Sequence, residues 1–304
     1  MWVTCLPSAS ADWHLNPPRG GVALLRLRTA PGARDAVAAA LVADHRLWTI
    51  ESATGGHDLV AVGVFSSARE RDALVDRDLA SVAGVTDARV TPMQEIIVSP
   101  AAWRTGTLSP PVHHAVSELS RVDARRTAAR PPTPLELLVL HELSRDGRAG
   151  SAQIARRIRR SPSAVNGAIP VSVLGSGSAD LHVDFAAEPF GWSTRGTLLI
   201  QVPHTLIPDL SAALWRYPAH VHEAHALFGE ANLAVNIWAR EQWAIDIMEE
   251  MITTSFPEAR VVDRWHTTRS YKRNGAVLDA DGCRTGWVDT IPAPRDAAAG
   301  EETP

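Results

Sequence analysis

Apolar residues recur along the chain in two patterns, and the order of these patterns is the same in two separate segments. Apolar runs such as 21–29 predict strands, and apolar residues at helical spacing such as those in 33–45 predict helices. Residues 21–98 therefore predict the order strand, helix, strand, strand, helix, strand, and residues 197–271 predict the same order. This is the order of the split βαβ, ferredoxin-like arrangement, so we expect an α+β fold.

The two segments also share residues at corresponding positions. The stretch TGGHDLVAVGVF at 54–65 is echoed by FGEANLAVNIWA at 228–239. An offset of 174 residues aligns Gly55 with Gly229 and Asp58 with Asn232. Without a gap, the same offset aligns Leu24 and Leu25 with Leu198 and Leu199, and Ala38 and Ala39 with Ala212 and Ala213. A repeat of this length predicts a duplicated domain and not a solenoid.

Between the copies, the pattern predicts a linker and a short helical unit. The Pro-rich stretch TAARPPTP at 127–134 predicts a linker, and the sequence after it predicts three short helices. Gly147 ends the first helix, Ser151 is a candidate N-cap of the second, and Ser161 followed by Pro162 is a candidate start of the third. Three such helices are typical either of a helix-turn-helix, whose last helix can enter a DNA groove, or of a plain helical spacer.

The helical unit resembles the AsnC-type helix-turn-helix of the Lrp/AsnC (leucine-responsive) family of transcriptional regulators, through LVLHELSRDGRAGSAQIARRIRRSPSAV at 138–165. Both copies resemble the effector-binding RAM domain of that family, through the loop of Gly55 to Asp58 and its counterpart of Gly229 to Asn232. The resemblance implies two ferredoxin-like RAM domains flanking one winged-helix-type helix-turn-helix. It also implies a cytoplasmic, ligand-responsive, DNA-binding regulator of transcription.

The domain boundaries follow from the repeat and the resemblance. We expect a residual hinge segment at 1–20, a first RAM domain at 21–100, a Pro-rich linker at 101–132, a helix-turn-helix at 133–172, a hinge strand at 173–194, a second RAM domain at 195–273 and a mostly disordered tail at 274–304.

The predicted reading helix is poor in side chains that distinguish bases. Asn166 is the main donor on it, while direct readout depends on Arg, Lys, Asn or Gln. The arginines just before it can hold phosphates, which positions a protein on DNA without specifying sequence. A solvated helix face is the other interpretation of this cluster. The predicted DNA-contacting residues are Arg156, Arg157, Arg159, Arg160, Ser161, Ser163 and Asn166.

The resemblance implies that an amino acid or similar small molecule binds beside the glycine-x-x-aspartate loop. The implied effector-binding residues are Gly55, His57, Asp58, Gly229, Glu230 and Asn232. Glycine amides can meet a carboxylate, and an acidic side chain can meet an ammonium group. The other interpretation is that Asp58 and Asn232 hydrogen-bond within their own turns.

Two further functions stay open. One is a small-molecule sensor that has lost sequence-specific DNA binding and acts through partner subunits. The other is an enzyme. HVHEAH places His220 and His222 on one face of a strand, with Glu223 and His225 close by, a set that suits zinc or iron. The resemblance adds that some relatives with this two-domain plan resemble sirohaem decarboxylases, which use histidines. No serine, cysteine or phosphate-loop pattern of a catalytic site is present. We therefore expect a protein that is not an enzyme, with no catalytic residue, metal or cofactor.

Composition adds the partners and the compartment. The net charge of −4 argues against a nucleic-acid surface along the whole chain, so a DNA contact needs a local basic patch. Two cysteines without a spacing that suggests a disulfide or a metal site, together with the absence of a long apolar run, favour the cytoplasm and no membrane. The expected partners are DNA, a small-molecule effector and further copies or paralogous regulator subunits.

Overall fold

A computed structural model describes residues 2–7, 21–100, 103, 133–169, 179–184 and 186–290. Residues 8–20, most of the predicted linker at 101–132, and the last part of the predicted tail lie outside the described residues. The chain divides into two compact units. One contains residues 1–15, 108–184 and 289–304, and the other contains residues 16–107 and 185–288.

The larger unit contains a sheet with helices on its outer side. Its strands are β2 (Gly21–Thr29), β3 (Leu47–Ala53), β4 (Leu59–Phe65), β5 (Val85–Val98), β7 (Thr194–Gln201), β8 (Val221–Leu227), β9 (Leu233–Ala239), β10 (Arg260–Arg273), β11 (Ala276–Leu278) and β12 (Arg284–Trp287). Its helices are α1 (Arg34–Val42), α2 (Ala68–Ala73, continued as irregular helix to Ser81), α6 (Ile207–Leu214) and α7 (Trp243–Ser255). Short 3-10 turns cover Glu188–Phe190 and His204–Leu206.

The smaller unit contains β1 (Trp2–Pro7), which pairs antiparallel with β6 (Ala179–Asp184), and the helices α3 (Pro134–Arg145), α4 (Ser151–Ile158) and α5 (Pro162–Ile169). Val139, Ile154 and Val165, one from each helix, are fully buried in its core. Thr133 and Glu136 form a capping box that fixes the start of α3. The N-cap of α4 is Gly150, one residue before the predicted Ser151.

The two copies join in one antiparallel sheet. Its strand order is β12-β11-β10-β3-β4-β2-β5-β8-β9-β7, and β7 also pairs with β10, so eight strands form a closed ring. Each copy contributes four of these strands in the order strand, helix, strand, strand, helix, strand. We call residues 21–98 the first half and residues 194–273 the second half of the closed sheet. The pairs β5–β8 and β10–β3 join the halves, so the predicted separate domains share one sheet.

Each half has its own apolar core under its helices, and the last strand of each half extends into the core of the other. Tyr271, near the end of β10, is packed in the first core, and its hydroxyl donates to Asp35 Oδ1 of α1 at 2.5 Å. Val98, at the end of β5, is packed in the second core. Val98 pairs with Ala224, and Lys272 pairs with Ile50. Because Ile50 and Ala224 occupy equivalent positions at the offset of 174 residues, Val98 corresponds to Lys272. Each core is therefore completed by the other half.

The first strands of the two halves, β2 and β7, correspond at an offset of 173 residues and not at the predicted 174. Leu27 O accepts from Asp58 N, and Ile200 O accepts from Asn232 N, so Leu27 corresponds to Ile200. Because strand side chains alternate between faces, a shift of one residue exchanges the inner and outer sets. Arg26 therefore corresponds to Leu199, and both side chains face the inside of the closed sheet.

The C-terminal part departs from the prediction. The expectation that 274–304 is mostly disordered is wrong for its first part, because β11 and β12 form a hairpin that extends the sheet. Gly275 lies in the turn that joins β10 to β11, at φ +89, and a Cβ there would lie 2.7 Å from Val288 O. A residue with a side chain would clash at this turn. Among the helices in the described ranges, none has the length and apolar character needed to cross a membrane.

Candidate functional site

The predicted effector loops are tied to their own halves by their polar residues. Asp58 Oδ2 accepts from the backbone N of Thr29, just beyond Leu27, at 2.7 Å. Asn232 Oδ1 accepts from the backbone N of Val202 at 3.0 Å, and its Nδ2 donates to Val202 O at 2.7 Å. Both side chains thus attach the loop to the end of the first strand. The bonds are structural, but they reach residues 29 and 30 positions away and do not lie within the turns themselves, as the second interpretation expected.

The other predicted effector residues have different surroundings. Gly55 adopts φ +89, a left-handed conformation that favours glycine. Gly229 packs closely against Thr91, since a Cβ there would lie 3.1 Å from Thr91 Cγ2. Glu230 is exposed, whereas His57 is buried. Of the six predicted residues, His57 lines the cavity described next, and the other five do not line it.

We call this space the cationic cavity; its lining residues are Arg26, Arg28, Gly56, His57, Asp87, Arg89 and Asp263. Its volume is about 110 Å³. His57, Arg26 and Asp263 are the more buried members, while Arg28, Asp87 and Arg89 are exposed at the rim. Three strands, β2, β5 and β10, and the loop after β3 meet here, so the site draws on both halves of the closed sheet.

Two buried nitrogen atoms at this cavity have no hydrogen-bond partner among the described residues. They are Arg26 Nε and His57 Nε2. Arg26 Nη1 approaches Asp263 Oδ2 at 3.4 Å, and His57 Nδ1 lies 3.8 Å from the same oxygen. A buried donor without an acceptor costs about 1–3 kcal/mol. Arg26 Nε is always a donor, so an acceptor beside it would be stabilising, whereas His57 Nε2 would gain from an acceptor only when it carries a proton.

The electrostatics of His57 follow from its neighbours. Burial lowers the pKa of His57, the Asp263 carboxylate opposes this, and the Arg26 guanidinium adds to the lowering. Weaker effects come from Asp58, which raises the pKa, and from Arg28, which lowers it. The ring of Trp265 meets His57 edge-on, with ring centroids 4.8 Å apart. The imidazole is thus held in a fixed orientation, with its neutral form favoured.

Sequence reasoning missed the arginines of this cavity. Arg26 and Arg28 are two residues apart on one strand and therefore face the same side of the sheet. That alternation in LLRLRT was visible, but it did not indicate that β10 would bring Asp263 opposite Arg26, 237 residues away.

A second polar cluster lies within the same unit. The tryptophan–arginine cluster consists of Glu51, Trp103, Glu188, Trp192, Arg195, His222, Trp238, Arg240, Ser270 and Arg273. His222 stacks on Trp238 with ring centroids 4.3 Å apart, and the guanidinium carbon of Arg273 lies 4.5 Å from the same ring centroid. Its aromatic rings pack against one another, so the cluster is largely filled by its own side chains.

Glu51 balances the buried arginines of that cluster. Its Oε1 lies 3.3 Å from both Arg195 Nη1 and Arg273 Nη2, and Ser270 Oγ donates to it at 2.6 Å. Burial alone would raise the pKa of Glu51, but the two guanidinium groups outweigh burial and hold the pKa below its ordinary value. The sequence does not indicate this network, because its members come from β3, β7 and β10, which are far apart in the chain.

The histidine pattern HVHEAH does not converge on one point. His222 stacks on Trp238, and its Nδ1 lies 3.9 Å from Glu223 Oε1, while His225 Nε2 lies 3.1 Å from Glu223 Oε2. Within the described residues, no group of three or more His, Cys, Asp and Glu side chains is placed to hold a metal ion.

The predicted DNA-contacting residues lie on α4 and α5 and at the turn between them. All seven are exposed. Arg157 Nη1 donates to Glu142 Oε2 at 2.9 Å, so this arginine is partly engaged within the helical unit. Ser161 Oγ accepts from Ala164 N at 3.2 Å and caps α5, in agreement with its predicted capping role. The remaining arginines and Asn166 form an accessible polar face.

Comparison with known proteins gives a fold and no family. No protein-family model and no curated protein matches the sequence. The structure of siroheme decarboxylase NirDL resembles this chain with a TM-score of 0.55 at 12% identity, over 89% of this chain and 77% of that one. Its co-complex with an iron-uroporphyrin III analogue gives a TM-score of 0.51 at the same identity and coverage. The structure of the Mycobacterium tuberculosis leucine response regulatory protein LrpA matches 46% of this chain and 94% of its own, with 18% identity and a TM-score of 0.38.

These findings correct one expectation from the sequence. The expectation that the chain is not an enzyme is contradicted, because a solved structure that matches it over 89% of its length is that of an enzyme. At 12% identity the likeness establishes the fold alone. The fold is a mixed α+β arrangement with a large antiparallel sheet and, in the described residues, seven helices.

Proposed function

We propose that the chain is an enzyme that removes a carboxyl group from a carboxylated tetrapyrrole, as siroheme decarboxylase does, and that the cationic cavity holds the reacting carboxylate. The observation that carries the proposal is the pair of buried nitrogen atoms, Arg26 Nε and His57 Nε2, which lack acceptors at the cavity. The likeness of fold over 89% of the chain supports it.

The size of the cavity limits what can enter it. Pockets for whole ligands measure roughly 300–1,000 Å³, whereas this cavity measures about 110 Å³. It is suited to a carboxylate side chain and not to a macrocycle. The ring of the substrate would therefore lie outside the cavity, against the exposed rim formed by Arg28, Asp87 and Arg89.

The residues of the cavity supply two requirements of a decarboxylation. Guanidinium groups bind and orient a carboxylate through charge-assisted hydrogen bonds. When the carbon–carbon bond breaks, CO2 leaves, and the electron pair stays on the neighbouring carbon, which must then gain a proton. A histidine within hydrogen-bond reach is a suitable proton donor. In this proposal, Arg26 positions the carboxylate and His57 delivers the proton.

The test is a decarboxylation assay on the whole chain with siroheme as substrate. Loss of CO2 from the tetrapyrrole is followed by mass spectrometry. We expect Arg26→Gln and His57→Gln to lower the rate by at least about tenfold, as losses of positioning and of acid–base catalysis do. Arg71→Gln, which removes an arginine of α2 paired with Asp72, is the matched control and should keep the rate. No CO2 loss from the wild-type protein, or equal rates in all variants, would refute the proposal.

The helical unit supports a second function, nucleic-acid binding. The observation in its favour is the exposed face of α4 and α5, which carries Arg156, Arg159, Arg160 and Asn166. Because arginines bind phosphates and Asn166 is the main candidate for base contact, we expect weakly selective, salt-dependent binding.

Fluorescence anisotropy with two duplexes of different sequence, from low to physiological salt, tests this function. Arg156→Ala combined with Arg159→Ala should weaken binding to both duplexes alike, and Arg71→Gln should not weaken it. Absence of binding to both duplexes at low salt would exclude this second function.

A further inference from the structure

The charges around the cationic cavity do not balance. Three guanidinium groups, of Arg26, Arg28 and Arg89, line it together with two carboxylates, of Asp87 and Asp263. The carboxylate of Asp58, which is bound to the backbone N of Thr29, is not part of the lining, although its charge still acts on His57. The lining by itself therefore carries one excess positive charge while His57 is neutral, and one monovalent anion bound there would cancel it.

An anion at this place would change the environment of His57. Arg26 and Arg28 disfavour the charged imidazolium, whereas Asp263 and Asp58 favour it. Asp87 and Arg89, from β5, complete the charged groups that face the ring. A bound carboxylate would offset the guanidinium charges and accept a hydrogen bond from Nε2, and both effects favour the charged form of His57.

Binding and protonation are then linked. A ligand that favours the protonated form of a group must be taken up with a proton wherever the free protein holds that group neutral. We infer that the cationic cavity binds a small carboxylate anion together with one proton, which is taken up at His57. This inference rests on the assignment of the cavity as a carboxylate site, and it adds that the cavity loads the proton that a decarboxylation consumes.

Calorimetric titration of the full-length chain with acetate tests the inference. Measurements in Bis-Tris and imidazole, which differ in ionisation enthalpy, give the number of protons taken up per acetate. We expect uptake approaching one proton near pH 7 and an affinity that rises up to about tenfold for each unit of falling pH while free His57 is neutral. His57→Gln should abolish both the uptake and the pH dependence. His45→Gln, at an exposed histidine of the same half, should change neither.

The outcomes separate the inference from the proposed reaction. Acetate binding without proton uptake overturns the inference and leaves the carboxylate site in place. Absence of acetate binding overturns both the inference and the site. Proton-linked acetate binding in a protein that does not decarboxylate siroheme supports the inference and removes the proposed reaction. Because the wild-type titration alone gives the uptake, the inference stays testable if His57→Gln does not fold.

Discussion

In the first half of the closed sheet, the loop after β3 places His57 beside Arg26 at a polar cavity. In the second half, the loop after β8 places Ala231 near Leu199 in an apolar cluster. The loops are attached alike, by Asp58 to Thr29 and by Asn232 to Val202. The duplicated loop residues are thus the structural anchors, and the candidate chemistry lies in the neighbouring residues, which differ between the halves.

The same contrast holds where each half completes the other. Val98 enters the second core as an apolar side chain, while the corresponding Lys272 is fully buried at the first. Lys272 Nζ donates to Val42 O and Asp44 O, at and beyond the C-terminal end of α1, at 2.9 and 2.8 Å. A lysine at the end of a helix satisfies carbonyl groups that lack partners within the helix. One junction is therefore apolar and the other is polar.

The largest effect is expected from breaking the contact of β10 with the first core. Tyr271→Ala should lower the free energy of unfolding by about 3–5 kcal/mol, because it leaves a large void and removes the bond to Asp35. Equilibrium denaturation in urea measures the loss. Tyr271→Phe, which keeps the ring, is the control and should cost much less. A loss below about 1 kcal/mol for Tyr271→Ala would mean that the halves do not share their cores.

Lys272 at the polar junction should make the free energy of unfolding depend on pH. Burial lowers the pKa of Lys272 from 10.5 to about 8, with Asp44 opposing the shift. Between these values the unfolded chain holds a proton that the folded chain has released, so the free energy of unfolding rises with pH.

The rise due to Lys272 is at most about 3 kcal/mol over the whole window. Urea denaturation at several pH values between about 7.5 and 10 compares the wild type with Lys272→Met. The variant should lack this part of the slope. Parallel curves for the two proteins would show that Lys272 keeps an ordinary pKa.

Removing the loop anchors should have similar effects in both halves. Asp58→Ala and Asn232→Ala should each cost about 1–3 kcal/mol, because each leaves a backbone group without its partner. Asp58→Asn should cost less, since an amide oxygen can accept the same bond, as that of Asn232 does. Thermal denaturation with Glu230→Ala as an exposed control checks this. A cost confined to one half would show that the anchors are not equivalent.

The smallest change in stability is expected from replacing Arg26 with leucine, the residue type at the corresponding position, Leu199, of the second half. Arg26→Leu removes a buried nitrogen that lacks a partner and also the 3.4 Å contact with Asp263. Because these two effects oppose each other, the free energy of unfolding should change by less than about 1 kcal/mol. Stabilisation by acetate should disappear, because its binding partner is lost. Melting curves with and without acetate measure both. An unchanged acetate response would place the anion elsewhere.

The amino-acid sequence determined the repeated order of strands and helices, the three helices between the copies and the capping of α5 by Ser161. These features depend on periodicity and on capping residues within a few positions, and such local patterns can be read from a single chain. The same local reasoning placed Asp58 and Asn232 in the loops, but it could not decide between a ligand contact and a turn bond. It also aligned the first strands one residue away from their true correspondence.

The tertiary structure decided the rest. The closure of the sheet, the exchange of Tyr271 and Val98 between cores, and the cationic cavity all depend on residues that are far apart in the chain. Arg26 and Asp263 are separated by 237 positions, and Lys272 and Val42 by 230. Pairings of this kind are selected by the packing of whole strands, and a one-residue change of register reverses which side chains face inward. For that reason the residues that line the cavity could be named only after the two halves had been paired.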